Sequence, residues 1–144
     1  MKQKAKHFLS FLLSFLLLIG IIPTGSAAEA RASNYFAATS VWATATGLGK
    51  FIVEFDINAT HTMTEVGAIE ITIKEKQSDG SYDTVKTFTR YNTSGLIETN
   101  SSCAYGRVSY SGKSGTKYYA IARLYAKDSS GSETMYQSTK TITA

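Results

Sequence analysis

The sequence is poor in the residues from which staples and active sites are usually built: among its 144 residues are one cysteine, one proline, one tryptophan and two histidines. A lone cysteine, Cys103, excludes an intramolecular disulfide, so the fold has to rest on burial and backbone hydrogen bonding. Its two readings are a small buried apolar residue and a thiol that pairs with a second chain. Proline occurs only as Pro23, and none follows it to interrupt a strand. After His7 the only histidine is His61, set among Thr60, Thr62 and Thr64. It has neither a Gly-x-Ser-x-Gly elbow nor a cysteine in a catalytic context to work with, and it reads as an exposed loop histidine. One histidine and one cysteine also fall short of the usual ligand set of zinc. No catalytic residue, metal site or cofactor is expected.

Long apolar runs are equally scarce. The single one, Phe8 to Ile22, follows Lys2, Lys4 and Lys6 and ends at Pro23-Thr24-Gly25 before a stretch of small residues. Its length falls short of the roughly 20 residues of a membrane-spanning helix, and the order basic, apolar, small is that of a secretory signal. Residues 1–30 are therefore expected to be a cleaved signal helix, with cleavage after Ala28 or Ala30, and residues 31–144 a single domain. No cysteine follows the run to carry a lipid, and Lys140 to Ala144 forms no sorting tail. The expectation is release from the cell with no membrane attachment after cleavage.

Charge of one sign is missing as well. The chain carries +4 formally, but Lys2, Lys4, Lys6 and Glu29 account for three of the 15 basic and one of the 11 acidic residues, leaving 12 against 10. No basic cluster remains to hold nucleic acid or an anionic membrane.

What the remainder does contain is alternation of period two, rich in threonine, isoleucine, valine and tyrosine. Phe51, Val53, Phe55, Ile57 and Ala59 alternate with Ile52, Glu54, Asp56 and Asn58, which gives a strand with one core face and one wet face. Ile69 to Lys74 and Tyr82 to Arg90 flank Ser78-Asp79-Gly80-Ser81, a hairpin turn in which glycine supplies positive φ. Further strands are expected at Asn34–Thr46, Cys103–Ser111, Lys117–Lys127 and Ser132–Thr143, with no helical periodicity among them. Seven strands in a chain of this size predict an all-β fold: an antiparallel two-sheet sandwich in preference to a barrel.

The stretch Gly115-Thr116-Lys117-Tyr118, followed by Ala120, Ala122, Leu124 and Ala126 and then by Asp128 and Gly131, resembles fibronectin type III domains. In that family a Gly-Thr-x-Tyr stretch opens the sixth strand, small and apolar residues follow at alternate positions, and a glycine-bearing turn leads to the last strand. The hairpin from Ile69 to Phe88 is similar to the third and fourth strands of bacterial members. Trp42 departs from the pattern by lying in the first strand, and the strand after Tyr118 is about two residues long for the family. The resemblance implies an immunoglobulin-like or fibronectin type III-like sandwich and names no activity. The chain also resembles small secreted domains of Gram-positive bacteria of unknown function.

The candidate binding surface lies opposite the small-residue face of the long strand. Tyr119, Ile121, Arg123 and Tyr125 project there, and Tyr105 and Arg107 carry the same mixture on the preceding strand, so the two sets merge if those strands are neighbours. Alternation alone leaves open which face of the long strand is core. With the tyrosines outward, the chain reads as a secreted, non-enzymatic binding or structural module for an envelope glycan or a host or neighbour protein. Two other readings remain. Glu54 and Asp56, roughly 7 Å apart on one strand face, suit a glycosidase pair. The segment Tyr91 to Ser102 suits the contact loop of a toxin or inhibitor. Asp56 with Asn58, or Asp128, offers oxygen to calcium without a full loop signature.

Overall fold

The alternation through Phe51, Val53, Phe55 and Ile57 does build a strand, but that strand does not stop at Ala59. In the computed structural model, which describes Ser33–Ala144, it runs on to Lys76; the leader assigned to residues 1–30 lies outside the described residues. The elements are β1 (Phe36–Gly47), β2 (Lys50–Lys76), β3 (Tyr82–Thr89), β4 (Ile97–Ser111), β5 (Lys117–Lys127), β6 (Ser132–Ser138) and β7 (Ile142–Thr143). All pairings are antiparallel, and no helix occurs among the described residues. The β5 bounds match the sequence expectation residue for residue. Elsewhere the strands divide differently: two expected strands fuse into β2, and the expected last strand splits into β6 and β7.

Fusion is hidden in the sequence because irregularities in β2 move the phase of its buried side. Phe51 to Ile57 are buried at odd positions, Val66 and Ala68 at even ones, and Ile71 and Ile73 at odd ones again. Between Asn58 and Met63 the register with β4 slips, and between Ala68 and Glu70 the residue Ile69 is extra against β5. The earlier slip leaves Met63 buried in the phase of Ile57, and the first change falls between Met63 and Val66, where the strand passes between limbs; the extra residue Ile69 bends the strand and turns its side chains over again.

Through that bending, hydrogen bonding joins all seven strands in one curled sheet, where the sequence reading expects two sheets. The first half of β2 lies between β1 and β4, forming one limb; the second half lies between β3 and β5, with β6 and β7 beyond on β5, forming the other. At Glu65–Gly67 the strand has β4 on one side and β5 on the other, and there the limbs meet. Gly67 carries φ of +152°, and a Cβ on it would run into the Leu96 carbonyl, whose oxygen accepts the Ala68 N–H at 2.8 Å. Only glycine fits that crossing.

The limbs close on a shared core. Phe51, Val53, Phe55 and Ile57 from one face Tyr118, Ala120, Ala122, Leu124 and Ala126 from the other, all at 1% exposure or less. Each large aliphatic or aromatic side chain so buried contributes about 1.5–3 kcal/mol. Phe51 and Tyr118 stack across the interior with centroids 5.1 Å apart, and the Thr39 hydroxyl on β1 reaches the Met135 sulfur on β6 at 3.7 Å. Size is matched within the first limb too: the Phe55 ring lies over Gly106, its register partner, where a Cβ would collide with it.

Tyr118 also anchors the β4–β5 connection. Its hydroxyl donates to Glu75 at 3.0 Å and accepts the backbone N–H of Lys113 at 2.8 Å, while the Lys113 ammonium pairs with Glu75 at 2.8 Å. Hydrogen bonds from Lys113 and Tyr118 hold the Glu75 carboxyl below the usual carboxylate range. The hairpin turn follows its sequence expectation: Gly80 has φ of +89°, and Asp79 accepts from the Ser81 backbone at 2.9 Å.

Candidate functional site

Burial of Tyr118 and the alanines fixes the opposite face of β5 as outward. Tyr119, Ile121, Arg123 and Tyr125 stand on it half-buried, flanked by side chains of β2 and β6. Register places them in rows across the sheet: Thr89, Glu70, Arg123 and Tyr136 form one row, and Gly67, Tyr125 and Thr134 the next. Because Gly67 offers no side chain, the row of Tyr125 is low at its centre. Because Ile69 is the extra residue of the bulge, it emerges beside Glu70 instead of entering the core.

The result is an open groove of about 320 Å³ lined by Ile69, Glu70, Thr89, Arg90, Tyr91, Arg123 and Tyr125. Thr89 closes β3, and Arg90 and Tyr91 follow it in a turn pinned by the Asn92 side chain, which accepts the Thr89 N–H at 2.7 Å. Arg90 donates to Glu65 at 2.7 Å, and its guanidinium lies 5.9 Å from the Tyr91 ring centroid and 5.8 Å from that of Tyr125. Hydrogen bonding within this pair lowers the Glu65 carboxyl and raises the Arg90 guanidinium. Tyr91 itself is 91% exposed.

Arg123 is placed otherwise. Its guanidinium lies 5.8 Å from the Tyr136 ring centroid, and its Nε is buried without a hydrogen-bond partner among the described residues. Glu70, opposite it in register, takes the Thr72 hydroxyl at 3.4 Å and forms no ion pair with Arg123.

Of the tyrosines and arginines singled out from sequence, the fold gathers Arg123 and Tyr125 into this groove. Tyr119 stands further along β5, edge-on to Tyr82 at 4.9 Å, and does not line it. Tyr105 and Arg107 do not join the set: β4 pairs with β2 and not with β5, so they stand on the other limb. There Arg107 shares a row with Glu54 and Trp42, and Tyr105 shares the next with Asp56 and Ser40. Trp42 Nε1 donates to one Glu54 oxygen at 2.9 Å and the Tyr105 hydroxyl donates to the other. The Glu54 carboxylate thereby raises the Tyr105 phenol above its ordinary range.

Sequence reasoning missed Ile69, Glu70 and Arg90, and reached Tyr91 only as the start of the contact loop of a toxin or inhibitor. No pattern marks a bulge, and Ile69 alternates with Glu70 as a core residue would; only the aromatic Tyr91 in a polar turn stood as a signal. Three other residues move from their expected settings. Cys103 is exposed on β4 and not buried, because it shares the outward row of Asn58. His61 lies within β2 and not in a loop, with Nε2 2.8 Å from Asp128 and Nδ1 3.0 Å from the Thr60 hydroxyl. The Asp128 carboxylate, offered above to calcium, is occupied by Ser130, Gly131 and His61, which hold it well below the usual range. Much of the expected contact loop is strand, since β4 already begins at Ile97.

No family model matches the sequence, and neither does any curated protein. Among solved structures, the chain is similar to one determined in solution and described as a late embryogenesis abundant (LEA) protein, at 10% identity over 75% of this chain and 72% of that one, with a TM-score of 0.45.

Proposed function

We propose that residues 31–144 act as a secreted, non-enzymatic binding module of a Gram-positive bacterium, with the groove between β3 and β5 as its ligand site. The observation that carries this is the groove itself: an apolar floor at Ile69, the aromatic side chains of Tyr91 and Tyr125, and a few convergent polar groups, at the small end of the range of ligand pockets. Export rests on the leader pattern of residues 1–30. The fold we assign is of the fibronectin type III kind in its layering alone, made by one curled sheet folded so that its two limbs face each other. Its support is the facing of the two limbs and the Tyr118 hydroxyl bonded to the backbone five residues upstream, as the tyrosine corner of such folds is.

Screening the purified protein on a glycan array, and by pull-down against envelope material and neighbour proteins, tests the module. Tyr91→Ala and Tyr125→Ala should each weaken capture by about tenfold with an unchanged melting temperature. Equal capture by both variants removes the groove as the site. A hydrolase built on Glu54 and Asp56 has less support, because both Glu54 oxygens already accept hydrogen bonds and Asp56 stands open to water on a sheet face.

A further inference from the structure

Arg123 differs from Arg90 in one respect that bears on the ligand. Arg90 is neutralised by Glu65, whereas Arg123 presents a half-buried guanidinium to the same groove without a carboxylate of its own. Its Nε is buried out of reach of a ligand, so what Arg123 can offer in the groove is the outer end of its fork, which no carboxylate of the described residues neutralises. The planar guanidinium fork is suited to a carboxylate, which it takes with two parallel hydrogen bonds.

Resting on the reading of this groove as the binding site, we infer that it takes an acidic saccharide, whose carboxylate is held by Arg123. Three features of the lining narrow the class. Tyr91, which is 91% exposed, and Tyr125 line the groove with aromatic rings, the kind of surface on which the flat C–H side of a sugar packs, and Arg90 braces one side of each. Glu70 on the adjacent strand repels a ligand that is anionic all over, and accepts hydroxyl protons from one whose acid group points away towards Arg123. The volume, about 320 Å³, is at the small end of ligand pockets and suits one or two sugar rings. Arg123 is held for this task from behind, by the Tyr136 ring.

Calorimetric titration with a tetramer of galacturonic acid, and with the same tetramer reduced to neutral galactose, tests the inference. The acid should bind at least about tenfold more tightly than its neutral counterpart. Arg123→Gln should remove that difference and Arg123→Lys should restore only part of it, since a lysine keeps the charge and loses the fork. Neither variant should move the melting temperature by more than about 5 °C, because Arg123 forms no ion pair among the described residues and its contact with the Tyr136 ring is worth about 1 kcal/mol. Equal binding of the two tetramers, both weakened by Tyr125→Ala, overturns the acid preference and leaves the groove standing as a site. Binding of an acidic peptide in place of either tetramer overturns the saccharide class. If nothing binds and Tyr125→Ala is silent on the array as well, the inference falls together with the groove.

Discussion

The outer faces of the two limbs carry nearly the same residue types and put them to opposite uses. On the first limb, Trp42 and Tyr105 spend their polar hydrogens on Glu54, so the aromatic and acidic groups satisfy one another on an even sheet. On the second, a bulge and a glycine open a hollow, Arg90 is satisfied and Arg123 is not. Composition therefore does not distinguish a surface that merely faces water from one with bonding capacity left over. The difference lies in which donors the fold has already used.

The largest expected effect breaks both limbs together. Gly67→Ala forces a Cβ into the Leu96 carbonyl at a positive φ, and should cost about 3 kcal/mol or more, a loss of at least about 10 °C in melting temperature by calorimetry. Retention of the wild-type melting point would show that the crossing of the limbs tolerates a side chain.

A second prediction concerns acid. Glu75 and Glu65 titrate below their unfolded-state range, so their contribution is complete above about pH 4.5 and fades as pH falls through their folded values. Melting temperature should drop below that pH, and Glu75→Gln should flatten the drop in the core of the second limb while leaving groove binding intact. An unchanged pH profile would remove Glu75 from the balance.

The smallest effects belong to the first limb. Glu54→Gln should return the Tyr105 phenol towards its ordinary titration range, read as tyrosinate absorbance near high pH, with ligand capture altered less than about twofold. A loss of capture as large as that of Tyr125→Ala would reverse the contrast between the faces.

Much of the fold was legible in the residues. β5 was readable because one phase holds from Tyr118 to Ala126 without a bulge, and the Asp79-Gly80 turn because glycine there has one conformational task. The continuity of β2 was not, since Thr60, His61 and Thr62 look like a loop in sequence and are drawn into the strand by contacts with distant residues, among them the Tyr35 carbonyl that accepts the Thr60 N–H at 3.0 Å. The last strand divides because Thr139 turns inward, its hydroxyl accepting the Ala120 N–H at 3.0 Å, a bond no local pattern announces. For the site, period two placed the tyrosines and arginine of β5 on one face and left open whether that face was core; the burial of Tyr118, Ala120 and Ala122 decides it. The groove needed the bulge at Ile69 and the turn at Arg90 and Tyr91, which exist only once β2, β3 and β5 are side by side.

The length of β2 also sets the order in which this molecule can assemble. Its first half finds a partner at once, in β1 across a tight turn, but its second half pairs on one side with β5, roughly forty to sixty residues further along the chain. Until Lys127 has been delivered, the central strand keeps one bare edge and the core lacks the wall formed by Tyr118 to Ala126. A chain emerging from its N-terminus therefore stays open for most of its delivery, and closes late and all together.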